Sequence, residues 1–171
     1  MTAVLTPPSP TAEPAGHPRR WLILWVVLAA ECIDLLDGMI MNVAAPAIST
    51  DLHATTSGLQ WIVGGYALTF AIGLVTGGRL GDIFGRRRLF LLGLLGFAGS
   101  SVLCGVAPSE GALIGAWLLQ GLCAAVLIPQ GFGIIRETFP PSEIGKAFGL
   151  FGPVIGLSRA SGVTRCTPAW R

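Results

Sequence analysis

Four segments of this chain, Trp21–Ile48, Leu59–Gly78, Leu89–Ala107 and Ala112–Ile135, each run about 20 residues or longer with few or no charges. Between them lie short turns that collect most of the ionisable groups. Segments of that length match the roughly 30 Å hydrocarbon core of a bilayer, where only helices or closed barrels satisfy their own backbone hydrogen bonds. Charged residues make up 12 % of the chain and apolar residues 52 %, against about 25 % charge in an ordinary soluble domain. No polar stretch is long enough to fold alone, so a soluble catalytic domain has no room. The expected class is an all-α membrane protein: a polytopic bundle of four full transmembrane helices and a partial fifth that opens at Ala147.

The chain divides accordingly. Residues 1–20, rich in Pro, Thr and Ala, are expected to form a disordered cytoplasmic tail. Residues 21–157 are expected to form the bundle, and residues 158–171 an aberrant polar tail. Arg19 and Arg20 before an apolar run resemble a secretion signal, but the apolar pattern continues past Glu31 and Cys32, so the first helix is read as retained.

Basic residues alternate by turn. Arg19 and Arg20 precede the first span, Arg79 and Arg86 to Arg88 follow the second, and Arg136 and Lys146 follow the fourth. The other turns hold Asp51, His53 and Glu110 and no Lys or Arg. Positive charge concentrates on the cytoplasmic side, which puts the N-terminus in the cytoplasm of a multi-pass cell-membrane protein. Trp21, Trp25 and Trp61 stand near span ends, as an interfacial belt requires.

Glycines recur at helical spacing: Gly73/Gly77/Gly81, Gly93/Gly96/Gly99 and Gly111/Gly115. In lipid such small residues allow close helix packing. A phosphate loop would need a preceding strand and a following Lys-Ser/Thr, and neither is present. Cys32, Cys104, Cys123 and Cys166 are scattered without metal-ligand spacing, which leaves no basis for a metal centre or disulfide framework. The formal charge of +2 forms no basic stripe, so no nucleic-acid partner is expected, and no cofactor is implied.

The first span carries Glu31, Asp34 and Asp37, with Asn42 beyond. At 100° per residue the four fall within an arc of about 140°. An ionised carboxylate at the bilayer centre costs about 2.5–3.5 kcal/mol on insertion scales, so this face is expected to line a cavity or meet polar neighbours. Like charges one turn apart oppose each other's ionisation, and at least one of the three is expected to exchange protons near neutral pH. Glu31, near one end, is read as solvated; Asp37, the deepest, as cavity-facing.

The run Gly78-x3-Asp82-x2-Gly85-Arg86-Arg87-Arg88 resembles the signature cytoplasmic loop of the major facilitator superfamily, with Ile83 where the family often has a basic residue. Gly78 and Gly85 would permit a tight turn, and Asp82 could cap a helix start or pair with an arginine. Leu36-Asp37-Gly38-Met39-Ile40-Met41-Asn42-Val43-Ala44-Ala45-Pro46 is similar to the helix-1 signature of the fourteen-helix drug:proton antiporter branch. Leu118-Leu119-Gln120-Gly121, followed by Pro129, is similar to its helix-4 motif. The resemblance covers roughly residues 20 to 157. It implies multidrug-resistance-type export of a small organic substrate against protons, with Asp34, Asp37, Asn42 and Gln120 in the cavity and no enzyme activity.

Two departures stand out. The family's helix-4 arginine, three positions before the Gln, is Trp117 here, read as bundle packing or belt, so the acids lose that cationic partner. The helix-5 motif is only partly matched, by Gly152, Pro153 and Gly156. After Ser158 the apolar pattern stops, and the eleven or twelve residues before it rise only about 18 Å. The sequence therefore predicts an N-terminal fragment, inactive alone, with a frame shifted near codon 158. Two alternatives fit less of the chain: a small four-helix multidrug pump acting as an oligomer, and a non-transporting subunit that binds a full-length homologue.

Overall fold

The computed structural model describes residues 17–51, 55–153 and 156. Among them are five helices, α1 (Arg20–Asp51), α2 (Thr56–Phe84), α3 (Arg86–Gly105), α4 (Glu110–Thr138) and α5 (Pro141–Gly149). The segments Gln60–Phe84, Arg86–Gly105 and Glu110–Thr138 are long and apolar enough to cross a membrane. With 32 residues α1 also has the length, but Glu31, Asp34 and Asp37 interrupt its apolar character. Of the two expected tails, residues 1–16 of the first and all of 158–171 lie outside the described residues.

Helix α4 is the hub, flanked by α2 and α3, with α1 resting more lightly on it. Small residues make this possible. A Cβ on Gly77 would lie 2.3 Å from the Ala125 carbonyl oxygen, and one on Gly73 would lie 2.7 Å from the Ala125 side chain. Pro129 lacks the N–H that would otherwise serve Ala125 at i+4. That carbonyl therefore faces the bare backbone of Gly77. One residue on, the buried Gln130 amide donates to the Gly77 carbonyl at 2.7 Å and locks the crossing. On the other flank, Gly93 and Gly96 abut Leu127 and Cys123. Gly99, Gly111 and Gly115 have open space where a Cβ would be, so the close-packing reading holds for only part of the glycine pattern.

The turn between α2 and α3 is much shorter than the sequence suggests. Gly78 to Phe84 is helix, Arg86 begins the next helix, and Gly85 alone turns the chain at φ 90°. Its N–H donates to the Gly81 carbonyl and its carbonyl accepts from Leu89. Gly78 is thus not a turn residue, and Asp82 does not cap α3. Asp82 and Arg86, one helical turn apart, bridge the turn with an ion pair of 2.6 Å instead. Nothing in the polar run other than Gly85 needs to leave helical geometry, since arginine is a good helix former.

Helix α5 begins at Pro141, six residues earlier than the apolar pattern suggests, because Pro at the first turn is pre-set for a helix. Phe148 stacks on Phe132 of α4, and Phe151 packs against it at a tilt. Arg20 pairs with Glu143 at 2.7 Å, and the His17 N–H donates to the Thr138 carbonyl. The basic positions Arg20, Arg86 and Arg136 therefore gather at one end of the bundle with the α2–α3 turn. At the other end Thr55 and Ser109 cap α2 and α4, and the Thr55 hydroxyl donates to Glu110 at 3.0 Å.

Two apolar clusters flank the middle. Leu24, Val27, Phe90, Leu127, Ile135 and Phe139 pack near the turn end; Met41, Ile62, Leu113 and Trp117 pack near the other. Leu22, Val26, Ile40 and Val43 of α1, and Leu92, Leu95 and Val102 of α3, point outward, as lipid-facing surfaces do.

Gly77→Val should destabilise the bundle by about 1–3 kcal/mol, because the branched side chain meets backbone that cannot yield. Gly115→Ala should change stability by less than about 0.5 kcal/mol or raise it slightly. Denaturant unfolding of the detergent-purified chain, followed by far-UV circular dichroism, separates the two.

Candidate functional site

Asp34 and Asp37 lie near the middle of α1, between the two apolar clusters, and Gln120 occupies the same level of α4. The Gln120 amide nitrogen donates to Asp37 Oδ2 at 2.5 Å. From α3, the Ser101 hydroxyl reaches Asp37 Oδ1 at 3.5 Å, and the Cys104 thiol faces Gln120 Oε1 at 3.5 Å. From α2, the Tyr66 hydroxyl donates to Asp34. A polar layer built from four helices thus surrounds the two carboxylates.

The donors in this layer are neutral. The ion pairs of the described residues all lie at the turn end, on Arg20 and Arg86, and no basic side chain bonds to an acid of α1. Glu31 is half-buried, with Oε1 facing the α4 backbone at Gly131, and no hydrogen bond reaches it among the described residues. Trp117 is 4 % exposed, so it belongs to the packed interior and not to an interfacial belt. Its ring lies 5.2 Å from that of Tyr66, and its indole N–H is buried without a protein partner among the described residues. An indole can donate one hydrogen bond and carries no charge, so Trp117 brings no guanidinium to this layer.

The sequence-derived residues meet different fates. Asp34, Asp37 and Gln120 come together in the polar layer. Asn42 lies on α1 with its side chain outside the described residues. Gly152, Pro153 and Gly156 are exposed and helical, remote in sequence from the polar layer. Asp82 and Arg86 form a clamp at the turn end, where Arg86 also bonds Glu137 of α4 at 2.8 Å and lies across Gly133. Arg87 and Arg88 are exposed.

Sequence reasoning passed over Tyr66, Ser101, Gln130 and Glu137. Tyr66 is the single tyrosine of the chain and Gln130 a second amide in the span that holds Gln120; polar groups inside an apolar span need partners, which was the signal available for both. Nothing in the local pattern marks Ser101 as opposite Asp37.

Comparison with known proteins fits this arrangement. The family model for the Major Facilitator Superfamily matches residues 27–164. This chain belongs to the major facilitator superfamily. It is 53 % identical over 158 residues to the Probable actinorhodin transporter of Streptomyces coelicolor, covering 91 % of this chain and 27 % of that protein. It is 45 % identical to a puromycin resistance protein of Streptomyces alboniger, over 85 % of this chain and 29 % of the relative. With the tetracenomycin C resistance and export protein of Streptomyces glaucescens it shares 42 % identity, over 84 % of this chain and 27 % of the relative. The chain therefore spans less than a third of the length of these curated relatives. The superfamily consists of membrane transporters and not enzymes, in agreement with the all-α, lipid-facing architecture.

A double-mutant cycle of Tyr66→Phe and Asp34→Asn should return a coupling energy of about 0.6 kcal/mol, and at most about 1.7 kcal/mol, the mean and maximum for hydrogen bonds between membrane helices. Denaturant unfolding supplies the four stabilities. A coupling near zero would mean that the two groups do not interact in the folded protein.

Proposed function

We propose that the chain forms the opening part of the N-terminal bundle of a proton-coupled exporter of organic compounds, in the cell membrane with its N-terminus in the cytoplasm. The observation that carries this reading is Asp37, an intramembrane carboxylate held by neutral donors from two other helices. Intramembrane acids facing a bundle interior mark ion or proton pathways. An ionised Asp37 accepts from both Gln120 and Ser101. Once protonated, it accepts less well and carries a hydroxyl proton of its own to donate. Proton binding therefore changes the bonds that tie α1 to α3 and α4, and Asp34 with Tyr66 gives the same response toward α2.

Orientation follows from charge. The basic residues of the α2–α3 turn and those around α1's start gather at one end of the bundle, and the positive-inside rule favours the cytoplasm for that end. The names of the relatives support export of organic compounds, antibiotics among them. Transport by rocking bundles needs an opposing wall across a midplane site. These residues supply one wall, so efflux is expected only when the remainder of such a fold accompanies them.

Vesicles containing this chain alone should show no proton-driven dye efflux above empty vesicles. A chimera in which the chain replaces the matching segment of the actinorhodin-type relative should export dye, and Asp37→Asn should reduce that export to the empty-vesicle level. Unchanged export in the substituted chimera would refute the role of Asp37. Efflux by the chain alone would refute the one-wall reading. An N-terminal tag should be inaccessible to antibody in intact cells and accessible after permeabilisation.

A further inference from the structure

Leu122 and Val126 lie about 120–160° around α4 from Gln120, on the side away from the acids. There a groove of about 460 Å³ opens between three helices, lined by Leu80 and Phe84 of α2, Leu92 of α3, and Leu122 and Val126 of α4. Phe84, Leu92 and Leu122 are all exposed, so the groove is open along its length. Arg88 is the one charged residue in its lining. From Arg88 to Leu92 is one turn of α3, about 6 Å.

Three features converge at the mouth of this groove. Arg86 is committed to Asp82 and Glu137, whereas Arg88 lines the groove, its neighbour Arg87 is exposed, and no ion pair reaches either among the described residues. No side chain caps the start of α3, so its first N–H groups and the positive end of its dipole face outward there. The groove below is apolar and opens on the outer surface.

We propose that this groove binds an anionic glycerophospholipid, its phosphate held by Arg87, Arg88 and the start of α3 and the upper part of one acyl chain lying along Leu92, Leu122 and Val126. A basic site at the head-group level beside an apolar channel selects a lipid with net negative charge over a zwitterionic one, whose cationic group would meet the arginines. A free phosphate would use the mouth and leave the groove without an occupant, so the acyl chain is what distinguishes a lipid site. The site is separate from the acids of α1 and its test does not depend on transport. It rests on membrane embedding and on the groove staying open beside the remainder of the fold.

The test is native mass spectrometry of the full chain in neutral detergent, with phosphatidylglycerol or phosphatidylcholine added and inorganic phosphate as competitor. Phosphatidylglycerol should remain bound after activation that strips phosphatidylcholine, and phosphate should not displace it. Arg87→Gln with Arg88→Gln should lower its occupancy about fivefold or more, and Arg88→Lys alone should retain most of it. Leu122→Trp, which fills the groove with a lipid-compatible side chain, should lower occupancy while both arginines remain. Far-UV circular dichroism checks that each variant keeps its helicity. Equal retention of the two lipids, displacement by phosphate, or unchanged occupancy in both the arginine and Leu122 variants would overturn the proposal. So would a lipid-free dimer, which would mean that a second copy covers the groove.

Discussion

The crossing of α2 and α4 at Gly77 holds the bundle's geometry. A carbonyl of α4 freed by Pro129 needs a surface with no side chain, and Gly77 supplies it; Gln130 then donates back to the Gly77 carbonyl. Both features follow from the same sequence fact, a proline inside an apolar helix opposite a glycine ladder. In water such a freed carbonyl would find solvent. In hydrocarbon it must be met within the protein, and tight backbone approach is one way to do so.

That crossing fixes what faces α1. Once α2 and α4 are locked, Tyr66 and Gln120 stand at the level of Asp34 and Asp37, and α3, packed through Gly93 and Gly96, adds Ser101 and Cys104. The opening helix packs less closely than its neighbours and is anchored between its two apolar patches largely by its acids. A helix held by hydrogen bonds to titratable groups can change its attachment when a proton binds. A helix held by close packing alone cannot. The proposed proton coupling rests on this contrast between a closely packed α2–α3–α4 core and a polar-tethered α1.

The turn end obeys a different logic. Arg86 joins Asp82 across the turn and Glu137 across to α4, while Arg20 joins α1 to α5 through Glu143. These pairs are exposed or partly so, and each such pair contributes little by itself. Their geometry matters more than their energy, because they join α2, α3 and α4 at one point and α1 to α5 at another.

Much of this was legible in the residues. Apolar length gave the spans, and the three acids on one arc of α1 could not be left to lipid, so a polar layer at that height followed from hydrocarbon's inability to solvate charge. The signature run around Gly85 and the Gln120 motif pointed to the family that the comparisons bear out. The partners were not legible. Whether Gly78 or Gly85 makes the turn, whether Gly115 or Gly77 carries the close approach, and whether Trp117 faces lipid or the interior all depend on which side of a helix meets a neighbour. Helical periodicity gives only relative angles on one helix; the rotation of α4 against α2 sets the absolute ones. Ser101 and Tyr66 became part of the site for that reason: glycine contacts, Gly121 against the Tyr66 backbone among them, set the rotation of their helices, and that rotation brought two ordinary hydroxyls within reach of a carboxylate.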